Sequence, residues 1–236
     1  MSDLEQRIAE NLSSVRDRIT RAAEKAGRSP GEIQLIAVTK YVGLRETATL
    51  LAAGCQTLGE SRPQQLWEKA AEPALAEARW HLIGHLQRNK VRRTLPLVDM
   101  IHSIDSLRLL KTINEISGEL GKRKRVLLEV NCSGEPEKHG LAPDDLLRLL
   151  PELPPLKHVE VCGLMTMAAR EGGESVATKN FTLLRQLRDQ AEQECPPGVT
   201  LTELSMGMSH DFEVAIRAGA TLLRIGSLLL EGVRAS

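Results

Sequence analysis

A short apolar, β-branched run followed by a helical pattern recurs along this chain, and that repeat constrains the fold more than any other feature. Ile33-Gln34-Leu35-Ile36-Ala37-Val38 is nearly all apolar, as expected of a strand buried on both faces. Further strand runs lie at 57–60, 80–83, 98–103, 125–131, 159–165, 201–205 and 221–225. Helical stretches fall between them, at 44–53, 63–77, 87–94, 106–120, 143–150, 175–194 and 210–217. Strands separated by helices pair in parallel, because a parallel pair needs a crossover long enough to return to the same end of the sheet. Eight such units predict an α/β fold, a closed (β/α)8 barrel of the TIM type; a doubly wound open sheet is the structural alternative. Ahead of the first strand, Leu4, Ile8, Leu12, Val15 and Ile19 recur at helical spacing over 3–26, and Gly27 ends the pattern. This extra N-terminal helix is expected to cover the outside or the bottom of the barrel. No linker or composition break interrupts residues 1–236, so one domain is expected.

Charge and composition exclude several classes of partner. Lys plus Arg and Asp plus Glu both number 31, so the chain lacks the basic footprint of a nucleic-acid binder. Two Trp, one Tyr and two Phe leave little for base stacking. No apolar run approaches the roughly 18 residues of a membrane span. The N-terminus, Met1-Ser2-Asp3-Leu4-Glu5, is polar and reads as no secretory signal. Cys55, Cys132, Cys162 and Cys195 are far apart with no C-x-x-C, which suits reduced thiols in a cytoplasmic protein.

Three places can carry chemistry. Lys40 directly follows the first strand run, and active sites in such barrels sit at the carboxyl ends of the strands. A lysine there can be partly desolvated, which lowers its pKa and makes it a Schiff-base nucleophile; position alone also allows an ordinary surface lysine. Ser205-Met206-Gly207-Met208-Ser209 follows the seventh strand, with Ser209 as an N-cap for a helix starting near His210. Arg224-Ile225-Gly226-Ser227 ends the eighth. Barrels often hold phosphate in the loops after strands seven and eight, and two small-residue turns at those places form a coherent pair; loop punctuation is the plain alternative. Arg224 lies within an apolar run, so it must find a partner, and a ring nitrogen or a phosphate would serve. His81 and His85 are an incomplete ligand set, so no metal is expected. Ser209-His210-Asp211 holds the residue types of a catalytic triad, but sequence neighbours cannot form its geometry. Lys122-Arg123-Lys124-Arg125 reads as a solvated helix end.

Eight segments in order carry a resemblance. They are Ala37-Val38-Thr39-Lys40, Gly59-Glu60-Ser61, the stretch from Trp80 to Lys90, His102 to Ser106, Val130 to Glu135, Gly163 to Met167, Leu204 to Ser209, and Arg224-Ile225-Gly226. With them the chain resembles the pyridoxal-phosphate homeostasis proteins, small relatives of the alanine racemase N-terminal barrel domain. The resemblance implies that Lys40 carries pyridoxal 5′-phosphate as an internal aldimine. It implies that Ser205, Gly207, Gly226 and Ser227 contact the phosphate, that Arg224 faces the pyridine nitrogen, and that Met165 packs near the cofactor. An arginine at that nitrogen disfavours ring protonation and weakens the ring as an electron sink. The implied role is therefore cofactor buffering or delivery to apoenzymes, not catalysis. A racemase needs a second acid/base on the opposite face of the substrate carbon. Alanine racemases supply it as a tyrosine from a second domain, for which this chain is too short. Its one tyrosine, Tyr41, is expected to point away from Lys40 by strand alternation. A monomer is expected, since the missing domain also carries the racemase dimer interface. A Schiff-base aldolase on a phosphorylated sugar would use the same lysine and loops. The chain departs from the family pattern at Ser61, where an Asn is usual, and at Arg62-Pro63.

Overall fold

The computed structural model describes residues 2–233. Eight parallel strands close into a barrel in chain order. They are β1 (Gln34–Val38), β2 (Thr57–Glu60), β3 (Arg79–Leu82), β4 (Met100–Ile104), β5 (Lys124–Glu129), β6 (Val159–Met165), β7 (Glu203–Ser205) and β8 (Leu222–Ile225). Closure is made by β1 against β8, with Gln34 opposite Leu222, Ile36 opposite Arg224 and Ala37 opposite Ile225. An open sheet would leave those two strands unpaired, so the closed alternative holds. The helices are α1 (Asp3–Lys25), α2 (Leu44–Ala52), α3 (Pro63–Ala70), α4 (Val91–Thr94), α5 (Leu107–Glu119), α6 (Pro143–Leu149), α7 (Gly173–Glu194) and α8 (Phe212–Arg217).

Three helical expectations need correction. The stretch at 63–77 stops at Ala70, and Pro73 opens a separate 3₁₀ turn, Pro73–Leu75, because proline offers no N–H to continue an α-helix. The stretch at 87–94 is a 3₁₀ turn, Arg88–Lys90, leading into the single turn of α4. The last helix begins at Phe212, and Ser209 does not cap it; the Ser209 hydroxyl instead accepts a hydrogen bond from the Leu228 amide at 3.4 Å.

The N-terminal helix lies on the outside. Ser2 and Glu5 form a capping box at its start, and Ile8, Leu12, Val15 and Ile19 turn inward. It packs against α8 and α2. Asn11 Nδ2 donates to the Leu229 and Glu231 carbonyls at 3.2 and 2.9 Å, and Arg18 pairs with Glu213 at 3.0 Å.

The core has two parts. A large apolar layer lies between the sheet and the helices. A small one fills the barrel itself: Ile36, Met100, Leu127, Cys162, Met165 and Leu222. Two residues further along β4, β5 and β8, on the same inward face, stand His102, Glu129 and Arg224, all buried. The plug is thus apolar below and polar near the carboxyl ends of the strands, where these barrels place their sites. Close packing of β6 on β7 depends on Gly163, where a Cβ would lie 1.9 Å from the Glu203 carbonyl oxygen. Backbone cannot yield as a side chain can, so Gly163→Ala should lower stability by about 1–3 kcal/mol or more, read from denaturant unfolding midpoints.

Candidate cofactor site at the barrel mouth

Lys40 sits on a pinned turn. β1 ends at Val38, and the Val42 amide bonds the Thr39 carbonyl at 3.1 Å. Beneath the turn lies a buried ion pair, Lys69 Nζ to Glu60 Oε2 at 2.8 Å, with side chains 7% and 0% exposed. Lys69 also donates to the Thr39 carbonyl at 2.7 Å, the Thr39 hydroxyl donates to Glu60 Oε2 at 3.2 Å, and Glu60 Oε1 accepts from the Ser61 amide at 2.8 Å. The residue before Lys40 is therefore held by Lys69 of α3, by Glu60 of β2 and by the Val42 amide. The lysine itself is half-buried at the strand end. Tyr41 does not point away from it: Lys40 Nζ lies 4.8 Å from the Tyr41 ring centroid. Strand alternation stops at Val38, so the two side chains share the turn.

A second polar assembly crosses the barrel. Arg224, 4% exposed, donates from Nη1 to Ser205 Oγ at 2.6 Å and from Nη2 to the Thr166 carbonyl at 2.9 Å. Ser205 Oγ lies 2.8 Å from His102 Nδ1, and His102 Nε2 lies 3.0 Å from His81 Nδ1. Arginine only donates. One consistent direction then runs from Arg224 to Ser205, from the Ser205 hydroxyl to His102, and from His102 to His81. Burial keeps both imidazoles neutral, pushing His81 down to about 3 and His102 well below its ordinary value, with neighbouring cations adding to the effect. Burial also lowers Arg224 to about 10, opposed by the carboxylates of Glu129 and Asp211. Glu129, 3% exposed, is raised to about 7 by burial, with Arg224 opposing and Asp105 adding. His81, His102 and Glu129 were not singled out as site residues from the sequence. For His102 and Glu129 the available signal was a polar residue two positions beyond an apolar one, Met100 and Leu127, on an inward strand face.

These shifts act on stability with opposite signs. The histidines are depressed, so the unfolded chain binds more protons below pH 6.5 and stability falls as pH drops from 6.5 toward 3. Glu129 is raised, so its contribution is fully present below 4.5 and is lost as pH rises through about 7. Glu129→Gln should therefore gain stability relative to the parent as pH rises from 5 to 8, by at most about 1.4 kcal/mol per pH unit, read from unfolding at the two pH values.

Two glycine turns line the mouth beside β1. Gly207 has φ +94°, and a Cβ there would lie 2.6 Å from the Ala215 Cβ. At Gly226 a Cβ would lie 3.1 Å from the Val38 carbonyl oxygen. The turns are joined: the Arg224 amide bonds the Gly207 carbonyl at 3.0 Å, and the Leu228 amide bonds Ser209 Oγ. Among the described residues, the amides of Ser209, Gly226 and Ser227 are not spent on loop or cap hydrogen bonds. The ends of β7, β8 and β1 are neighbours, so Gly207, Arg224, Gly226, Ser227 and Lys40 come to one sector of the mouth. Ser205 and Met165 do not open onto it in the same way. The Ser205 side chain is fully buried with its hydroxyl held by His102 and Arg224, and Met165 belongs to the apolar plug. Ser61 lies against the turn that follows β3, where a Cβ on Gly84 would meet its carbonyl oxygen at 2.3 Å.

Residues 10–232 match the family of the alanine racemase N-terminal domain. A pyridoxal phosphate homeostasis protein of Aquifex aeolicus is 39% identical over 220 residues, covering 93% of this chain and 96% of that one. This chain belongs to the pyridoxal phosphate homeostasis family. A homeostasis protein of Deinococcus radiodurans is 40% identical over 212 residues, covering 89% of this chain and 95% of its own. PipY of Synechococcus elongatus, solved with PLP bound, aligns with TM-score 0.83 and 36% identity over 94% of this chain and 99% of that one. Alanine racemase of Clostridium difficile, at 19% identity and TM-score 0.74, shares the barrel fold over 95% of this chain and 59% of its own. The homeostasis relatives bear the name of a homeostasis protein and not of an enzyme. No helix among the described residues is long and apolar enough to cross a membrane.

Proposed function

We propose that this chain holds pyridoxal 5′-phosphate at the mouth of one barrel domain, through Lys40, as a reversible store of the cofactor. The observation that carries the reading is Arg224. Arginine has five N–H groups, and two of those on Arg224 are hydrogen-bonded among the described residues. The remainder belong to a buried cation at the strand end beside β1, and they suit an acceptor such as an unprotonated pyridine nitrogen. When bound, pyridoxal phosphate supplies an aldehyde that condenses with a primary amine and an aromatic ring that draws electron density.

The chain's own residues divide the work. Lys40 offers the amine from a turn fixed by Lys69 and Glu60. Gly207, Gly226 and Ser227 allow a phosphate to approach backbone amides, with Ser209 adding its own amide. Ser205 acts from behind, orienting the arginine and linking it to His102. Met165 forms part of the apolar floor. Arg224 cannot give up a proton at neutral pH, so it disfavours protonation of the ring nitrogen and with it the electron withdrawal a racemase needs. Tyr41 shares the turn with Lys40 and gives no acid/base on an opposite face. Both points favour storage over catalysis. The reading extends to release of the cofactor to apoenzymes by a cytoplasmic monomer, without nucleic-acid or membrane partners.

The test is an absorption spectrum of the parent chain beside Lys40→Ala, each with and without added pyridoxal phosphate. A band near the visible edge in the parent, absent from the variant, is expected. No band with excess cofactor would sink the reading and leave a phosphate-binding barrel for another ligand.

A further inference from the structure

Three side chains outside the sector just described converge on the opposite part of the mouth. His85 follows β3, Asp105 follows β4, and His139 lies in the loop between β5 and α6. Their ligand atoms all lie within 4.8 Å of one another. His85 Nδ1 is 3.0 Å from Asp105 Oδ2, and the His85 and His139 rings stack at 4.3 Å with planes 13° apart. We propose that His85, Asp105 and His139 bind one divalent transition-metal ion of the zinc class.

The backbone presenting these groups is built, not loose. The carbonyl of Gly84, next to His85, accepts from Ser103 Oγ at 2.6 Å, and no Cβ fits at Gly84 against Ser61. Asp105 Oδ1 accepts from Ser106 Oγ at 3.2 Å, and Ser106 caps α5 through the Leu109 amide. His139 is flanked by Lys138, which donates to the Ala168 carbonyl at 2.6 Å and pairs with Glu135 at 2.5 Å. On its other side Gly140 has φ +119°, and a Cβ there would lie 2.8 Å from the Asn131 amide nitrogen. The two imidazoles keep enough exposure to turn: the His85 side chain is 39% exposed, while Asp105 is held at 16%.

Chemistry selects the ion. Two imidazole nitrogens and one carboxylate oxygen suit zinc and its late first-row neighbours, whereas magnesium and calcium take all-oxygen sets. A fourth position is left for water, as in open zinc sites. This site uses no residue of the Lys40 sector, so it stands or falls apart from the cofactor reading.

The test titrates the full chain, dialysed against a chelator, with Zn²⁺ by calorimetry and with Co²⁺ by visible absorption. Binding of one ion per chain is expected, with a cobalt spectrum of tetrahedral type. His139→Ala and Asp105→Asn should each weaken binding by roughly tenfold or more, and His158→Ala, an exposed histidine at another site, should leave it unchanged. Absence of saturable binding at one ion per chain would overturn the proposal. So would binding that survives His139→Ala and Asp105→Asn, because the ion would then have other ligands.

Discussion

Lys69→Met should cost the fold about 3–5 kcal/mol, the penalty of leaving a buried carboxylate without its cation. Glu60 is fully buried, and its Oε2 takes a 2.8 Å contact from Lys69 and a hydrogen bond from Thr39. Removing Lys69 also takes one of two donors from the Thr39 carbonyl, leaving it the Val42 amide. The pair cannot be treated as one of the exposed ion pairs of this surface, such as Arg148 with Asp145, which contribute little. The double variant Glu60→Gln, Lys69→Met removes both charges and should recover part of the loss, since a buried pair exchanged for neutral groups is far less harmful than a pair broken on one side. Urea unfolding of the two variants beside the parent measures this. Equal losses in the single and double variants would mean that the charge pair is not the source. The local consequence reaches the site, because these contacts fix the turn that carries Lys40. The double variant should therefore show slower formation of the cofactor absorption band even where its stability has partly returned.

This ion pair also marks where the sequence stops being legible. Strand β6 matches its expected range, 159–165, because a buried parallel strand reads as a mostly apolar run, and β2 matches 57–60 although Thr57-Leu58-Gly59-Glu60 is not one. Helix ends were less legible. Pro73 broke the third helix and the α8 start moved to Phe212, since a turn bonded to Asp211 and Leu228 outcompeted the expected Ser209 cap. Lys40, Gly207, Gly226 and Ser227 stood out because a lysine or a glycine at a strand end is a local signal. Glu60 and Lys69 did not, because their pairing joins a strand to a helix and both look like ordinary charges in the sequence. The His81–His102–Ser205–Arg224 chain spans more than a hundred residues, and only closure of the barrel brings its members together. His139 was silent for the same reason: nothing near it in sequence points to His85 or Asp105.

Arg224→Met should separate function from stability in the opposite sense to Lys69→Met. Burial depresses Arg224 to about 10, so holding this cation inside the barrel costs the fold part of what its hydrogen bonds return. The variant loses the bonds to Ser205 and the Thr166 carbonyl but also sheds a desolvated charge, so its unfolding midpoint should move less than that of Lys69→Met. Cofactor binding should suffer more. A hydrogen bond from a charged donor contributes about 1.5–3 kcal/mol, which corresponds to roughly a ten- to hundredfold weaker affinity for pyridoxal phosphate. Without the guanidinium the ring nitrogen is also free to take a proton, so its pKa in the bound state should rise, which a spectral pH titration or a nitrogen-15 shift of labelled cofactor reads directly. Glu129 loses the opposing charge of Arg224 at the same time, and its carboxyl should climb further above about 7. Weakened binding with an unchanged ring pKa would mean that Arg224 only shapes the pocket. Unchanged binding would place it outside the cofactor's reach and leave the polar chain across the barrel as a purely structural element.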